Sequence, residues 1–400
     1  CLGHCNFQEG RTMTSQQFGF SRRAPVAVAG CLLATVPWAA MAAEGFRLRH
    51  SPIGLLGPEV SARIDPPGFF GTVSLSHTRI TEVMGNSGDT LTIPARTVPL
   101  PTAAPTGGAI ANGTYALQVP AARVHLSQSQ TQINLVGGFV TAPDYVGGSL
   151  SWRVNVPLIR QSRDFSTTQP AGAVVPTPSA ALPAAARGAI DAVAAAANAQ
   201  VQSTLAATAA THNTSVTGLG DVELSAAWLR RMERLRVAAN VSLYVPTGKY
   251  DRTRGPNPGF GDFYTLQPGV GFTYAMESPG EAHWARGVTL AGRAVYGVNS
   301  TNRDTDYRTG NYAAVEGAAI KVIGPWALGA NLLALRQVSD DRAAGVTVAD
   351  SRYRTNAAGP FVAYKLPGRD MAVNAHWSQS FGGRNALVSR TLQLRLVGAW

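Results

Sequence analysis

The segment RTLQLRLVGAW, from Arg390 to Trp400, alternates between apolar and polar side chains. Leucines stand at positions 392, 394 and 396, and Thr391, Gln393 and Arg395 stand between them. Because successive side chains of a β-strand point to opposite faces, this strand has one apolar and one polar face. Such a strand occurs half-buried in soluble sandwiches, and it also occurs in membrane barrels, where an aromatic residue marks the interface.

The composition narrows this choice. The chain has 400 residues, of which 14% are charged, and its mean hydropathy is 0.00. With 42 glycines and 25 prolines it is rich in turn formers. Beyond the N-terminal region, no stretch holds the roughly 18 consecutive apolar residues that a spanning helix needs. If the chain crosses a membrane, we therefore expect it to do so as a barrel.

The same alternation recurs along most of the chain. Residues 149–159, SLSWRVNVPLI, and residues 234–245, RLRVAANVSLYV, place bulky apolar side chains on one parity. Aromatic residues lie near the ends of several such segments, as the interfacial girdles of a barrel require. The pattern predicts about twelve strands, at residues 68–84, 120–137, 148–159, 221–231, 234–246, 262–276, 286–298, 311–323, 326–339, 353–366, 370–381 and 389–400.

The connections between these segments alternate in length. Short ones such as RRMER (230–234) and LPGRD (366–370) interleave with long polar ones such as NSTNRDTDYRTG (299–310). Outer-membrane barrels with an even number of strands have this asymmetry between periplasmic turns and external loops. We therefore predict an all-β fold, a transmembrane antiparallel β-barrel of about twelve strands over residues 68–400.

The N-terminal region predicts export. Two arginines, an apolar run and an Ala-Met-Ala pattern ending at Ala42 are typical of a secretory signal peptide. We expect residues 1–42 to be an N-terminal extension and signal peptide that are removed, leaving the mature protein in the outer membrane of a Gram-negative cell.

A lipoprotein box at Cys31 is an alternative, disfavoured because the apolar run continues past it. Twin-arginine export is disfavoured because a barrel must reach its membrane unfolded. All three cysteines lie in the removed region, so we expect no disulfide.

Three segments fall outside the strand pattern. We expect residues 43–67 to form an N-terminal periplasmic segment, and residues 85–119, rich in Pro, Thr and Gly, to form an irregular loop. Residues 160–220 form a long external loop with an Ala-rich helix. That helix either folds into the lumen as a constriction or plug, or belongs to a poorly ordered external excursion. Its apolar stripe consists of Ile190, Val193, Ala197, Val201 and Leu205.

The polar parity of the strands should face the lumen. The residues that we expect to line the pore are Arg153, Glu223, Arg236, Asn240, Arg293, Asn374, His376, Gln393 and Arg395. The whole chain carries a net charge of +11. Because confined positive charge concentrates anions, the arginines predict a lumen that favours anionic solutes. The alternative is that they are scaffolding, paired with carboxylates such as Glu223.

The C-terminal strand also predicts an assembly signal. Leu394, Leu396 and Trp400 share one apolar parity that ends on an aromatic residue. With an even number of strands this end returns to the periplasm. We therefore expect the barrel-assembly machinery to read it.

Sequence motifs for chemistry are mostly absent. The chain lacks G-x-S-x-G, H-E-x-x-H and a phosphate loop. His376 and Ser378 share one parity, as a base and a nucleophile would, but no orienting partner is evident, so pore lining is favoured. Asp304 and Asp306 fit part of a Ca²⁺ site, but a loop rich in turn formers explains them equally well. We therefore expect no enzyme activity, no catalytic residue, no metal site and no cofactor.

Several segments together resemble one known family. They are DPPGFFGTVSLSHTRI (65–80), GLGDVELSAAWL (218–229), VPTGKYD (245–251), FGDFYTLQPGVGFTY (260–274) and YGVNSTNRDTDYRTGNYAAVEGAAIKV (296–322). In this order they are similar to the meta-pathway phenol-degradation outer-membrane family, also described as SphA-like porins. The resemblance implies a transporter-type barrel linked to uptake of aromatic or hydrophobic compounds. The Ala-rich insertion at 160–220 departs from the family pattern.

These observations predict an outer-membrane channel for passive uptake of small solutes, either aromatic or anionic. Its expected partners are outer-membrane lipid, the barrel-assembly machinery and a small-molecule solute. We expect no nucleic-acid partner, because the basic residues alternate with lipid-facing apolar ones and no groove-reading motif is present. Two alternatives stay open, a structural or adhesive barrel with a sealed lumen and a barrel lipid hydrolase. The oligomeric state is not set by the sequence.

Overall fold

The computed structural model describes residues 47–50, 67–176, 184–276 and 287–400. Within these ranges, twelve antiparallel strands form one closed barrel, which confirms the predicted fold class. The strands are β1 (Gly68–Met84), β2 (Ala122–Val140), β3 (Ser149–Thr168), β4 (Val222–Met232), β5 (Leu235–Val245), β6 (Thr265–Met276), β7 (Val288–Asn299), β8 (Tyr312–Ile323), β9 (Trp326–Gln337), β10 (Arg354–Lys365), β11 (Met371–Arg384) and β12 (Ala386–Ala399).

Each strand pairs with its neighbours in sequence, and β1 closes the barrel against β12. In the closing ladder Leu75 lies opposite Leu394. The main chain of Trp400 extends this ladder, because Phe69 and Trp400 each donate an N–H to the other's carbonyl oxygen at 3.0 Å. Every barrel strand therefore has two partners, and no edge is left to pair with another chain.

The outward parity carries a belt of exposed apolar side chains. Val270 is 60% exposed and Leu332 is 61% exposed. A soluble sandwich would bury such residues, whereas a lipid-facing barrel wall requires them. This belt excludes the soluble interpretation of the C-terminal alternation. None of the helices in the described ranges combines the length and the apolar character that a membrane-crossing helix needs.

The strand β3 is longer than its predicted segment, which ended at residue 159. It continues to Thr168 and stays paired with β2 over this whole length. Beyond the apolar belt, its outward side chains are polar, as at Arg160 and Ser162. The hydrophobic alternation stops there although the main-chain ladder continues, so the sequence pattern gave no signal for the extension.

The loop at 85–119 is more regular than predicted. It contains strands Thr92–Ile93, Arg96–Pro99 and Tyr115–Val119, and the last two join Ala173–Pro176 in a three-stranded sheet. These strands are too short to show a period-two pattern among the surrounding Pro, Thr and Gly residues. The prediction of an irregular loop was therefore wrong for these three strands.

The Ala-rich segment forms helix α1, Arg187–His212, as predicted. Its buried face consists of Ile190, Ala194, Val201 and Leu205. Asn198 joins the helix to the three-stranded sheet, because its Oδ1 accepts the N–H of Gly172 at 2.9 Å, and Gly172 directly precedes the strand Ala173–Pro176. At its C-terminal end, Ala209 packs against the apolar cluster that contains Phe165 of β3. The helix thus packs against the extended end of β3.

Part of the N-terminal segment lies inside the barrel rather than in the periplasm. Residues 47–50 contact inward side chains, and Leu48 belongs to a buried cluster with Tyr312 of β8. The expectation of a periplasmic segment at 43–67 is therefore wrong for these residues. Basic and polar side chains at 47, 49 and 50 find carboxylates and carbonyls in the lumen, which the sequence pattern did not reveal. Residues 1–46, including the expected signal peptide at 1–42, and residues 51–66 lie outside the described ranges.

Candidate functional site

The lumen of the barrel is the candidate site, and it contains all nine residues predicted to line it. The face opposite the exposed apolar belt carries every one of them. Their exposure differs from that of a wide aqueous pore. Arg153, Arg236 and Asn240 are half-buried, while Glu223 is 1% exposed and Gln393 is 0% exposed. The inward side chains therefore pack against one another instead of lining an open channel.

The centre of the lumen holds a charge network on β7 and β8. Arg293 and Glu316 lie opposite each other in the ladder, and their Nη2 and Oε1 atoms are 2.7 Å apart. His50 of the N-terminal segment reaches the same carboxylate, with Nε2 at 2.7 Å from Oε1. Both members of the Arg293–Glu316 pair are buried. The network ties the N-terminal segment to the barrel wall.

A second charge pair lies on β3 and β4. Arg153 donates to Glu223 Oε1 at 3.2 Å and to the hydroxyl of Ser225 at 3.0 Å. Ser225 also contacts Ser242 of β5 at 2.8 Å. The alternative interpretation, in which inward arginines are paired with carboxylates, therefore applies to Arg153 and Arg293.

Arg49 anchors the N-terminal segment near the extracellular end of the lumen. Its Nη2 lies 2.7 Å from Oδ2 of Asp221, and its guanidinium also donates to the carbonyls of Gly261 and Phe263. The guanidinium carbon stands 3.8 Å from the centre of the Phe263 ring, within cation–π range. Asp221 also accepts two main-chain N–H groups, that of Gly248 at Oδ1 and that of Phe260 at Oδ2. These contacts of Arg49 hold the N-terminal segment against the barrel wall.

A ladder of amide side chains runs down the inward face of β2. Gln130 Nε2 donates to Gln132 Oε1 at 2.9 Å, and Gln132 Nε2 donates to Asn134 Oδ1 at 2.8 Å. From β3, Gln161 donates to Gln130 at 2.6 Å. Consecutive inward positions in a strand lie close enough for such contacts along the chain. The ladder provides a polar track through the extracellular half of the lumen.

A cavity of about 250 Å³ lies between this ladder and the N-terminal segment. Apolar and polar groups both line it, including Ile80, Ile159, Gln130, Gln132, Arg49 and Phe260. Its volume is slightly below the ~300 Å³ at which small-molecule pockets usually begin. A mixed lining of this kind suits a small solute with an apolar body and a polar group.

The C-terminal end of α1 packs against the extracellular end of β3. The rings of Phe165 and His212 meet edge to face with centroids 6.0 Å apart. Asn213 accepts the N–H of Phe165 and donates to its carbonyl. Burial lowers the pKa of the His212 imidazole below its ordinary value, and the Arg163 guanidinium lowers this pKa further. His212 is thus kept neutral at the place where the helix meets the barrel.

The nucleophile-base arrangement considered for His376 and Ser378 is not formed. Both ring nitrogens of His376 are buried without a hydrogen-bond partner, so the imidazole does not hold the Ser378 hydroxyl. The loop aspartates considered for Ca²⁺ belong to no cluster of three or more His, Cys, Asp or Glu side chains among the described residues. In that loop Asn302 Oδ1 accepts the N–H groups of Asp262 and Asp304, which is a turn-forming role.

Residues 131–396 match the model of a family described as "Putative MetA-pathway of phenol degradation". The match covers more than half of the 400-residue chain. The chain belongs to this family. The resemblance found in the sequence is thereby confirmed. No curated protein matches the chain.

Two of the solved structures that superpose on this barrel come from Pseudomonas putida. An outer membrane channel of Pseudomonas putida F1 superposes with a TM-score of 0.57 at 13% identity, covering 88% of this chain and 100% of that one. The toluene transporter TodX of Pseudomonas putida gives a TM-score of 0.31 at 10% identity, covering 85% of this chain and 90% of that one. The first of these establishes a shared fold.

The sequence patterns of this family member did not reveal all of the residues that fill its lumen. Arg49 and His50 precede the first strand, and Asp221 lies just before β4. Arg49 and His50 belong to no alternating segment, so parity gave them no face, whereas Asp221 opens the predicted strand 221–231 on the same polar parity as Glu223. The inward amides of β2 did lie on the polar parity of a predicted strand, and the signal for them was present at Gln130 and Gln132.

Proposed function

We propose that this barrel is a channel for passive uptake of small solutes, and that aromatic compounds bearing a polar group are its solute class. The observation that carries the proposal is the solute-sized cavity of about 250 Å³ inside a closed barrel, with a polar track on β2 and apolar patches beside it. The family description, which names phenol degradation, supports the aromatic class. The Pseudomonas putida structure with a shared fold is itself described as an outer membrane channel.

Transport would require the N-terminal segment to move. Residues 47–50 have no helical or strand structure and sit in the lumen beside the cavity. They are held by hydrogen bonds, ion pairs and the packing of Leu48, all of which are reversible. We therefore describe the channel as gated by this segment, with Asp221 and Glu316 as its holding points on the wall.

A second candidate function is a structural barrel with a sealed lumen. Buried ion pairs and 0–8% exposed inward side chains at Glu223, Arg293 and Gln393 favour it, because they leave little continuous space. The hydrolase alternative has no support of this kind, since the His376–Ser378 contact is not formed.

The deciding experiment is solute entry into proteoliposomes that contain the full mature chain. We expect phenol-sized solutes to enter faster than into protein-free liposomes, and planar bilayers with the protein to show discrete conductance steps. Entry at the protein-free rate and an electrically silent bilayer, with the barrel folded, would establish the sealed structural barrel instead. Folding is verified by heat-modifiable migration in the same samples.

A further inference from the structure

The outward face of the barrel carries a pair of arginines beyond the apolar belt, towards the extracellular end. Arg79 of β1 lies directly opposite Arg390 of β12 in the closing ladder. Both are exposed and share the parity of the lipid-facing Leu75 and Leu392. Since a strand rises about 3.3 Å per residue, Arg390 lies ~7 Å beyond Leu392 along its strand. The pair therefore stands at the level where acyl chains give way to headgroups.

This arginine pair has no counter-charge in the part of the chain that the structure describes. Neither guanidinium forms an ion pair or a side-chain hydrogen bond with a described residue. Their other ladder neighbours, Ser129 and Gln379, are uncharged. Glu82, in the next outward row, accepts the hydroxyl of Thr90. Because like charges directly opposite each other destabilise a strand pair, an external anion between the two guanidinium groups would stabilise the closing ladder.

A second outward pair of arginines differs in this respect. Arg336 of β9 lies opposite Arg354 of β10. Its guanidinium donates to the carbonyls of Leu335 and Thr355 and to the side-chain oxygen of Asn356. The donors of this pair are therefore used in part within the barrel wall. Those of the pair on β1 and β12 have no acceptor among the described residues.

A third arginine continues the same level around the barrel. Arg160 of β3 is exposed on the outward parity, two residues beyond the lipid-facing Leu158. Its ladder neighbours are Thr131 and Thr217, which are uncharged. His77 of β1 contacts the same threonine of β2, with Nδ1 and Oγ1 3.1 Å apart. The three arginines, with hydroxyl side chains between them, form a cationic band across β12, β1, β2 and β3.

A polar surface pocket of about 640 Å³ adjoins this cationic band on the side away from the apolar belt. Ser127, which lines it, lies two residues beyond Ser129, the ladder neighbour of Arg79. The polar lining consists of the carboxylates of Glu82, Asp89 and Asp164, five serine and threonine hydroxyls, Arg123 and His125. Ionised carboxylates accept hydrogen bonds and repel a phosphate, so the pocket suits the donating hydroxyls of a sugar.

We propose that this face of the barrel binds a phosphorylated, acylated sugar of the outer leaflet. Its acyl chains lie on the apolar belt, its phosphate lies between Arg79 and Arg390, and its sugar hydroxyls face the pocket. A guanidinium binds two oxygens of one phosphate at once, which a single ammonium does not. The apolar, cationic and polar levels follow one another along the strands in the order of the parts of such a lipid. The site lies outside the lumen, so the inference does not depend on the channel function.

The test is direct binding of lipid A to the full mature chain, folded in detergent micelles and followed by native mass spectrometry and titration. We expect lipid A with both phosphates to bind about tenfold more tightly than dephosphorylated lipid A, because charge-assisted hydrogen bonds are lost with the phosphates. Phosphatidylglycerol, which has acyl chains and a phosphate but no sugar, should bind more weakly than lipid A. Glucosamine phosphate without acyl chains should not compete at equal concentration.

The arginine pair is tested by a double variant. Arg79→Gln/Arg390→Gln should weaken binding of lipid A about tenfold and leave binding of dephosphorylated lipid A unchanged. Arg230→Gln/Arg369→Gln is the matched control, because it removes the same net charge from exposed positions at the periplasmic end of the barrel. Binding of lipid A to the control should equal that of the parent. Heat-modifiable migration verifies that both variants are folded.

Any of four results would overturn the site. They are equal binding of lipid A and its dephosphorylated form, equal binding of phosphatidylglycerol, competition by free glucosamine phosphate, and the same loss of affinity in both double variants. The comparison of lipids uses the parent protein and therefore does not depend on any variant folding. Preferential binding of lipid A to a barrel that passes no solute would retain this site and remove the channel function. Solute flux without that preference would do the reverse.

Discussion

Arg49 and Asp221 form a buried ion pair across the lumen, with Nη2 and Oδ2 2.7 Å apart and side-chain exposures of 1% and 4%. One partner belongs to a segment before the first strand, and the other lies at the extracellular end of the barrel wall. Asp221 keeps two main-chain N–H donors if Arg49 is removed. The ion pair can therefore be broken without leaving the Asp221 carboxylate without a hydrogen-bond donor.

Arg49→Ala should open the channel. The substitution removes the ion pair and the bonds to the Gly261 and Phe263 carbonyls, so the segment loses its main anchor. We expect more frequent conducting events in planar bilayers and faster solute entry into proteoliposomes. Arg303→Ala is the matched control, because its pair with Asp262 has the same 2.7 Å separation but an arginine that is 69% exposed. Equal conductance of both variants and the parent would show that the segment does not gate.

The strand pattern was predictable because lipid and a packed polar lumen impose opposite demands on alternate residues. The residue types at Val241 and Asn240 therefore predict from the sequence which face of the strand each side chain occupies. The position of Arg49 was not predictable, because a segment without period has no face until the wall it contacts is known. The pairing of Arg293 with Glu316 was also hidden, since it depends on the register between β7 and β8.

Removing Arg293 alone should destabilise the barrel. Arg293→Gln leaves Glu316 buried with His50 as its remaining partner, and breaking a buried pair in this way costs about 3–5 kcal/mol. The double variant Arg293→Gln/Glu316→Gln should recover much of that loss, because no charge is then left unpaired. Denaturant unfolding in lipid or detergent measures both. Equal free energies of unfolding for the single and double variants would contradict the pairing.

The two faces of β5 should respond differently to an introduced charge. Val241 is 40% exposed on the outward face, while Asn240 points inward. Val241→Arg places a charge against lipid and should lower the free energy of unfolding by about 2–4 kcal/mol near the bilayer midplane. Asn240→Arg should cost less, because the lumen is polar. A fully buried inward residue such as Gln393 is unsuitable for this comparison, since an arginine there would be crowded whatever its face. Similar losses at 240 and 241 would refute the face assignment.

The C-terminal residue should matter for assembly. Trp400 is 76% exposed, its ring covers Gly71, and its main chain makes two hydrogen bonds to Phe69 across the closing ladder. Deleting it removes both bonds and the aromatic end of the strand, whereas Trp400→Asp keeps the bonds and removes only the aromatic. We expect both to reduce heat-modifiable barrel in outer-membrane fractions. If Trp400→Asp assembles normally and the deletion does not, ladder closure rather than an aromatic signal is the cause.

The last prediction concerns anion preference. Two of the four arginines expected to cause it, Arg153 and Arg293, are paired with carboxylates, so replacing them would change folding together with charge. Arg163 is the better choice. It faces inward near the mouth and donates to Gln128 Oε1 at 2.7 Å. Arg163→Gln keeps a donor there and removes the charge.

Because the Debye length is ~8 Å at physiological ionic strength, a charge at the mouth acts on a solute in the adjacent lumen, and low salt strengthens this action. We expect the parent channel to prefer anions under a salt gradient, and Arg163→Gln to move the reversal potential towards the non-selective value. If the parent is closed, both are measured with Arg49→Ala. Arg303→Gln in an exposed loop controls for the change in net charge. A cation-selective parent would contradict the anion preference, and a reversal potential that Arg163→Gln does not move would show that Arg163 does not contribute to it.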